Sequence, residues 1–332
     1  MLAACSACAG LSHGSQPLAR VRGPLAIRQQ HPMALTLFAF RPRRATIQPA
    51  GEWGLGVQAA WSSIEEIRRF PSWAPSERVV FDCETIRSTL RGRYGLGSGL
   101  DFEIELPLVY ASAGRLDSFI EAWHDFLSLP KGGRERFPDD RFEVRMTEGG
   151  DELYALEDNR LGLQDIPLIL TRELRSEDAR GPALAVRAAV ELPTGSQRRG
   201  FGNGAPDFGL GLVGERSWGR VTATFGLDLH FPGQPDRLEA LQRHKLDDGF
   251  ALELGAEYRW NDNCSLLVGT VWTSRMISSM ELEEINREVF DLGLGVAWDL
   301  SPTSRVSVSV HEDIVAATGS DLSLQLGWSA GF

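Results

Sequence analysis

No stretch of this sequence approaches the roughly 18 to 20 consecutive apolar residues that a membrane-crossing helix needs, so a helical membrane protein is excluded. An excess of basic charge is missing too: the formal net charge is −11. That argues against nucleic acid as a partner, because neutralising phosphates takes a basic surface. Cysteine is scarce. Cys5, Cys8, Cys83 and Cys264 form no paired CxxC set for zinc, and the lone CxxC of Cys5 and Cys8 lacks the strand–helix context of a redox site. GLGSGL is no nucleophile elbow, because Leu96 stands where G-x-S-x-G needs glycine. None of these absences excludes a membrane β-barrel, whose strands alternate and look only half apolar. What is plentiful fits one: 35 glycines and nine tryptophans suit tight strand packing and aromatic girdles.

Alternation runs through the chain. In LDFEIELPLVY, Phe102, Ile104, Leu106, Leu108 and Tyr110 alternate with Asp101, Glu103 and Glu105. VTATFGLDLHF, ALELGAEYRW, VFDLGLGVAWDL and SRVSVSVHED repeat the pattern, as do WGLGVQAAW, DIPLILTREL, ALAVRAAVEL and DFGLGLVG. Side chains of a strand point alternately to opposite faces, so each segment has one apolar and one polar face. The pattern predicts twelve strands, near 52–62, 80–94, 100–111, 163–174, 182–193, 205–214, 219–231, 249–260, 264–274, 288–299, 304–313 and 321–332. Their length suits a tilted membrane strand of about 9 to 11 residues better than a globular strand of about 5 to 6.

Short and long connections alternate around the chain, as in outer-membrane barrels with short periplasmic turns and long outer loops. The predicted fold is therefore all-β: an antiparallel up-and-down transmembrane barrel over 52–332 with both termini periplasmic. Turns at Glu215 to Trp218 and Asn261 to Asn263 keep the apolar faces of their hairpins on one side. Trp53, Tyr94, Tyr258, Trp260, Trp298 and Trp328 fall at predicted periplasmic ends, and Trp61, Tyr110, Phe208, Phe231, Trp272 and Phe290 at outer ends. Amphipathic rings prefer the headgroup level. The final DLSLQLGWSAGF, with Leu326, Trp328 and Phe332 on one face, resembles the C-terminal strand signal read by the barrel assembly machinery.

Three segments stand outside this count. Residues 1–22 read as the remnant of a signal peptide or a disordered leader, since Leu2-Ala3-Ala4-Cys5 and Ala7-Cys8-Ala9 resemble cleavage sites. Residues 23–51 hold the apolar GPLAIRQQHPMALTLFAF and form a periplasmic segment or a plug entering from that side. The long loop 112–162 carries Leu116, Phe119, Ile120, Trp123, Phe126 and Leu127 at helical spacing. The spacing predicts an amphipathic helix over 115–128, with Trp123, His124 and Asp125 as gate candidates if it folds into the barrel mouth.

The polar faces give the expected lumen: Arg87, Arg91, Arg93, Asp101, Glu103, Glu105, Arg187, Glu191, Asp228, His230, Glu253, Glu257, Arg259, His311 and Asp313. Arg87, Arg91 and Arg93 share a face below a phase change near Glu84. A five-residue turn would set Arg93 opposite Asp101 and Arg91 opposite Glu103, as cross-strand ion pairs or as a guide for an ionic solute.

Certain phrases together resemble a known family: GPLAIRQQHPMAL, DSFIEAWHDFLSLPKGGR, GLQDI, VELPTG and the HED before the last strand. The family is one of Gram-negative envelope proteins catalogued as a domain of unknown function, and the similarity spans roughly residues 23–332. Gln164 departs from its usual glycine, and Glu191 from its usual lysine. The resemblance implies an outer-membrane barrel and supplies no activity, so no catalytic residue is carried over. The expected function is a narrow channel or transporter for a small solute, in contact with outer-membrane lipid. The alternatives are a structural or interaction barrel with a closed lumen, and an outer-membrane hydrolase. No serine is tied by pattern to His124, His230 or His311, and neither a metal nor another cofactor is called for.

Overall fold

The structure, a computed structural model, describes residues 21–68, 78–118, 122, 125, 140–234, 244–278, 286–314 and 319–331. Twelve of its strands close into a barrel. In chain order they are β1 (Trp53–Arg68), β2 (Arg78–Gly97) and β3 (Leu100–Ser112), then, after three short strands, β7 (Ile166–Arg175), β8 (Ala183–Leu192), β9 (Asp207–Trp218), β10 (Val221–Phe231), β11 (Gly249–Arg259), β12 (Cys264–Thr273), β13 (Val289–Ser301), β14 (Ser304–Asp313) and β15 (Leu322–Gly331). Each pairs antiparallel with its neighbours, and β1 meets β15 from Gly54↔Gly331 to Ser63↔Leu322, which shuts the ring.

Closure follows from the alternation. Leu55, Val57, Leu106, Leu210, Leu227, Leu254, Val268, Leu294 and Leu326 are exposed on the outside, while the residues between them face in. A closed ring leaves no unpaired strand edge, which lipid could not satisfy. Exposed Trp53, Trp260, Trp298 and Trp328 ring the end that carries the short turns, and Trp61, Phe208 and Phe231 ring the opposite, loop end. Trp53 and Trp61 stand eight residues apart on β1, about 20 Å along the axis at the usual strand rise and tilt.

The loop end is built up further than the alternation implies. The 112–162 segment, expected to be a loop with a helix, contains three short strands: β4 (Glu143–Glu148), β5 (Asp151–Leu156) and β6 (Arg160–Leu163). β4 pairs with the extended end of β2, β5 with β4, and β6 with β3. Here Ile64, Val79, Phe81 and Cys83 pack with Val144, Met146, Leu153 and Leu156 in a buried apolar cluster. This accounts for the apparent phase change near Glu84: Val79 to Thr85 are all buried, because both faces of β2 are covered. Of the expected helix 115–128, Asp117, Ser118, Ala122 and Asp125 have helical backbone, and most other positions, Trp123 and His124 included, lie outside the described residues.

Two turns differ from expectation. β9 runs on through Glu215 to Trp218, and the reversal falls at Gly219-Arg220, so Trp218 pairs with Val221. The β2–β3 turn is two residues, Ser98 and Gly99, both left-handed at φ 52° and 75°, the geometry that joins right-twisted strands. A register shift between Gly95 and Gly97 follows it. Arg93 therefore opposes Glu103 and Arg91 opposes Glu105, two residues from the expected register. The Asn261–Asn263 turn keeps its expected register, with Tyr258 opposite Leu266.

Candidate functional site

Residues 21–50 enter this wall from within. At the turn end the backbone N–H groups of Arg22 and Gly23 donate to Glu257 Oε2 at 2.7 and 2.8 Å, and Arg22 pairs with Asp299 at 2.6 Å. Leu25 and Ile27 then pack on Ala251, Leu267, Val271 and Ala297. Gln58 and Gln325 donate to the carbonyl of Ala26. At the loop end the His31 ring lies 4.5 Å from that of Phe81, and Met33 and Leu35 join the apolar cluster described above. A single 3-10 turn, Ala34–Thr36, lies at this tip, and the chain descends.

The descending limb is held by charge. Arg28 reaches across to the carbonyls of Leu37 and Ala39 at 2.8 and 3.1 Å, tying the limbs together. Phe38 N donates to Asp207 at 2.8 Å, and its carbonyl lies 3.1 Å from His230 Nδ1. Phe40 sits under the Arg187 guanidinium at 4.2 Å. Arg41 donates to Glu103 at 2.7 Å and Glu105 at 2.6 Å. Arg43 reaches Asp101 at 3.1 Å and Thr171 at 2.7 Å, and Arg44 forms a two-point contact with Glu215. The segment leaves beside Gly95, whose carbonyl accepts from Gly51 N at 2.8 Å.

Of the fifteen residues read from the sequence as lumen-lining, eleven are buried; Arg91, Arg93, Arg259 and Asp313 are half-buried. Several come together. Arg93 pairs with Asp101 at 2.5 Å and Glu103 at 3.3 Å. Arg187 is shared by Asp228 at 2.7 Å and Glu253 at 3.0 Å. Others stand apart. Arg87 donates to Gln164 and Thr89, both at 2.9 Å. Glu191 lies among Arg28, Arg87, Asp165 and Asp207. Arg259 donates to the carbonyl of Gly219 at the turn end, and Asp313 pairs across the strands with Asp291. His230 and His311 do not meet, and no cluster able to hold a metal occurs among the described residues. Ser309 Oγ does lie 2.9 Å from His311 Nε2. That pair is buried in the wall, and no carboxylate among the described residues is hydrogen-bonded to His311. Leu326 and Trp328 are exposed on the outer face of β15, and Phe332 lies outside the described residues.

Sequence reasoning missed the partners. Arg22, Arg41, Arg43 and Arg44 fall in or next to an apolar stretch, and their carboxylates lie 58 to 277 residues away. Their one visible signal was an excess of acids on the inner face with too few cross-strand cations.

The geometry left open by the segment is a cavity of about 480 Å³ toward the turn end, between the two limbs and the β1, β2, β14 and β15 wall. Its lining includes seven arginines and a single acid, Glu52.

The family model described as "Protein of unknown function (DUF3187)" matches residues 5–332. The chain belongs to that family. No curated protein sequence matches it. Among solved structures, the COG4313 outer membrane channel from Pseudomonas putida F1 is similar at 15% identity and a TM-score of 0.59, over 88% of this chain and 99% of that one. The NanC porin matches at 8% identity and a TM-score of 0.46, over 83% and 98%. A KdgM porin in complex with disordered oligogalacturonate matches at 6% and 0.45, over 84% and 99%. The match to the COG4313 channel gives the DUF3187 chain the fold of an outer-membrane channel, and its exposed apolar belt is of the kind such a fold presents to lipid.

Proposed function

We propose that this DUF3187 barrel is a gated channel for a small solute, with residues 21–50 as a gate drawn through the lumen. The observation that carries this is how the lumen is filled. In small barrels wall side chains fill the interior. Here a separate length of chain does so, held by ion pairs and hydrogen bonds to the wall beside apolar contacts of Leu25, Ile27, Phe38, Phe40 and Ala45. Polar contacts of this kind can be exchanged for water, so such a segment can be displaced without unfolding the barrel. The loop-end cluster containing Met33 and Leu35 favours a second reading, a closed structural barrel, because apolar burial would have to be undone at the tip. The rest of the reading follows the usual outer-membrane plan. The long loops face outward, both termini face the periplasm, and the last strand is recognised during assembly.

A tether separates the two readings. Ala45 shares a buried cluster with Ala183, Ala185 and Val213 of the wall. In a chain whose native cysteines are replaced, Ala45→Cys with Val213→Cys can lock the segment to the wall. In planar bilayers the reduced form should give discrete conductance steps, and oxidation should silence them reversibly. No steps in either form, from a folded barrel, would make the closed barrel the better reading.

A further inference from the structure

The 480 Å³ cavity is the size of a small-molecule site, which is usually about 300 to 1,000 Å³. Its charge is one-sided. On the β2–β3 side, Arg41, Arg43, Arg91 and Arg93 face Asp101, Glu103 and Glu105, four cations to three anions. Arg41, Arg43 and Arg93 take up those carboxylates. Arg91 lines the cavity and makes no hydrogen bond or ion pair among the described residues, and its Nε is buried. The three carboxylates do not line the cavity, because the guanidiniums stand between them and the open space. Gly56 lets Arg91 lie flat against β1, since a Cβ there would sit 3.0 Å from Nη2.

The other walls complete a site for an organic molecule. Ser307, Ser309 and Gln325 supply neutral hydrogen-bonding groups on one side. Pro24, Leu25 and Ile47 supply an apolar surface. A guanidinium with unused donors offers a planar fork that matches the paired oxygens of a carboxylate or phosphate. A half-buried cation without a hydrogen-bonded counter-ion is costly, and an anionic ligand lowers that cost.

From this we infer that the cavity is a binding site for a small organic anion, its carboxylate or phosphate group held by Arg91. This deepens the channel reading by giving the solute its charge class, yet binding here does not require conduction.

The test is isothermal titration of the refolded full chain in non-ionic detergent, with citrate, inorganic phosphate and, as a cation, choline. Saturable binding of citrate or phosphate and none of choline is expected. Arg91→Gln should weaken it at least tenfold, while Arg220→Gln, in the exposed β9–β10 turn, should leave it unchanged. If Arg91→Gln does not fold, Ser307→Asp serves instead: a carboxylate facing the cavity should abolish anion binding. No saturable anion binding, equal binding of choline, or full binding by both cavity variants would overturn the inference. A silent barrel that still binds citrate would sink the gate and leave this site standing. A conducting barrel that binds no anion would do the reverse.

Discussion

At the scale of single residues, Asp165 shows how this wall sets protonation. It lies just before β7, beyond the apolar belt, and is 3% exposed. Burial pushes its carboxyl from 3.8 up to about 6, with the nearby charge of Asp207 adding to the rise. The backbone N–H of Gly195, 2.7 Å from Oδ1, pulls the other way. The folded chain thus holds a proton that the unfolded chain has already lost. The stabilisation is complete below the unfolded value of 3.8 and is lost as pH rises through about 6. Hydrogen exchange of the 194–203 loop should therefore speed up between pH 4 and pH 7 in the native chain beyond the intrinsic rate change. Asp165→Asn should flatten that dependence. An identical profile in both would show that the carboxyl does not govern the loop.

At the scale of elements, the contact between the N-terminal segment and β9 depends on absent side-chain volume. A Cβ at Gly209 would lie 2.3 Å from the Phe38 ring and 2.8 Å from that of Phe40. Those rings are pinned by Ile169 and Ala189, so a methyl group must push the segment rather than the wall. Overpacking costs about 1–3 kcal/mol, which raises the released population about fivefold to a hundredfold. Gly209→Ala should accordingly make Arg28, buried in the native chain, cleavable by trypsin at least about fivefold faster, while the barrel keeps its heat-modifiable migration. Unchanged cleavage would mean that Phe38 and Phe40 do not hold the limb.

At the scale of the whole molecule, the two aromatic rings and the belt between them set the position in a bilayer. Trp53, Trp260, Trp298 and Trp328 cluster at one end and Trp61 at the other, all exposed. In vesicles, quenching by lipids brominated along the acyl chain should be strongest near the carbonyl end of the chain and weak at its terminal methyl. Strongest quenching at the chain terminus, or none at all, would contradict this placement of the belt.

Strand positions and the two faces of the barrel were readable from the sequence, because a side-chain period of two is a local property. Leu227 and Leu229 point out and Asp228 and His230 point in whatever else the chain does. Local too was the Asn261–Asn263 turn, whose length alone fixes its register. The β2–β3 register was not local: it depends on two left-handed turn residues and the shift beside Gly95. Least legible was residues 21–50. Its arginines find their carboxylates across 58 to 277 residues of chain, and such pairs leave no periodic trace. Sequence determined that Asp101, Glu103 and Glu105 would face inward. Only closure of the barrel around the segment decided that Arg41, Arg43 and Arg93 would take them, leaving Arg91 on the open cavity.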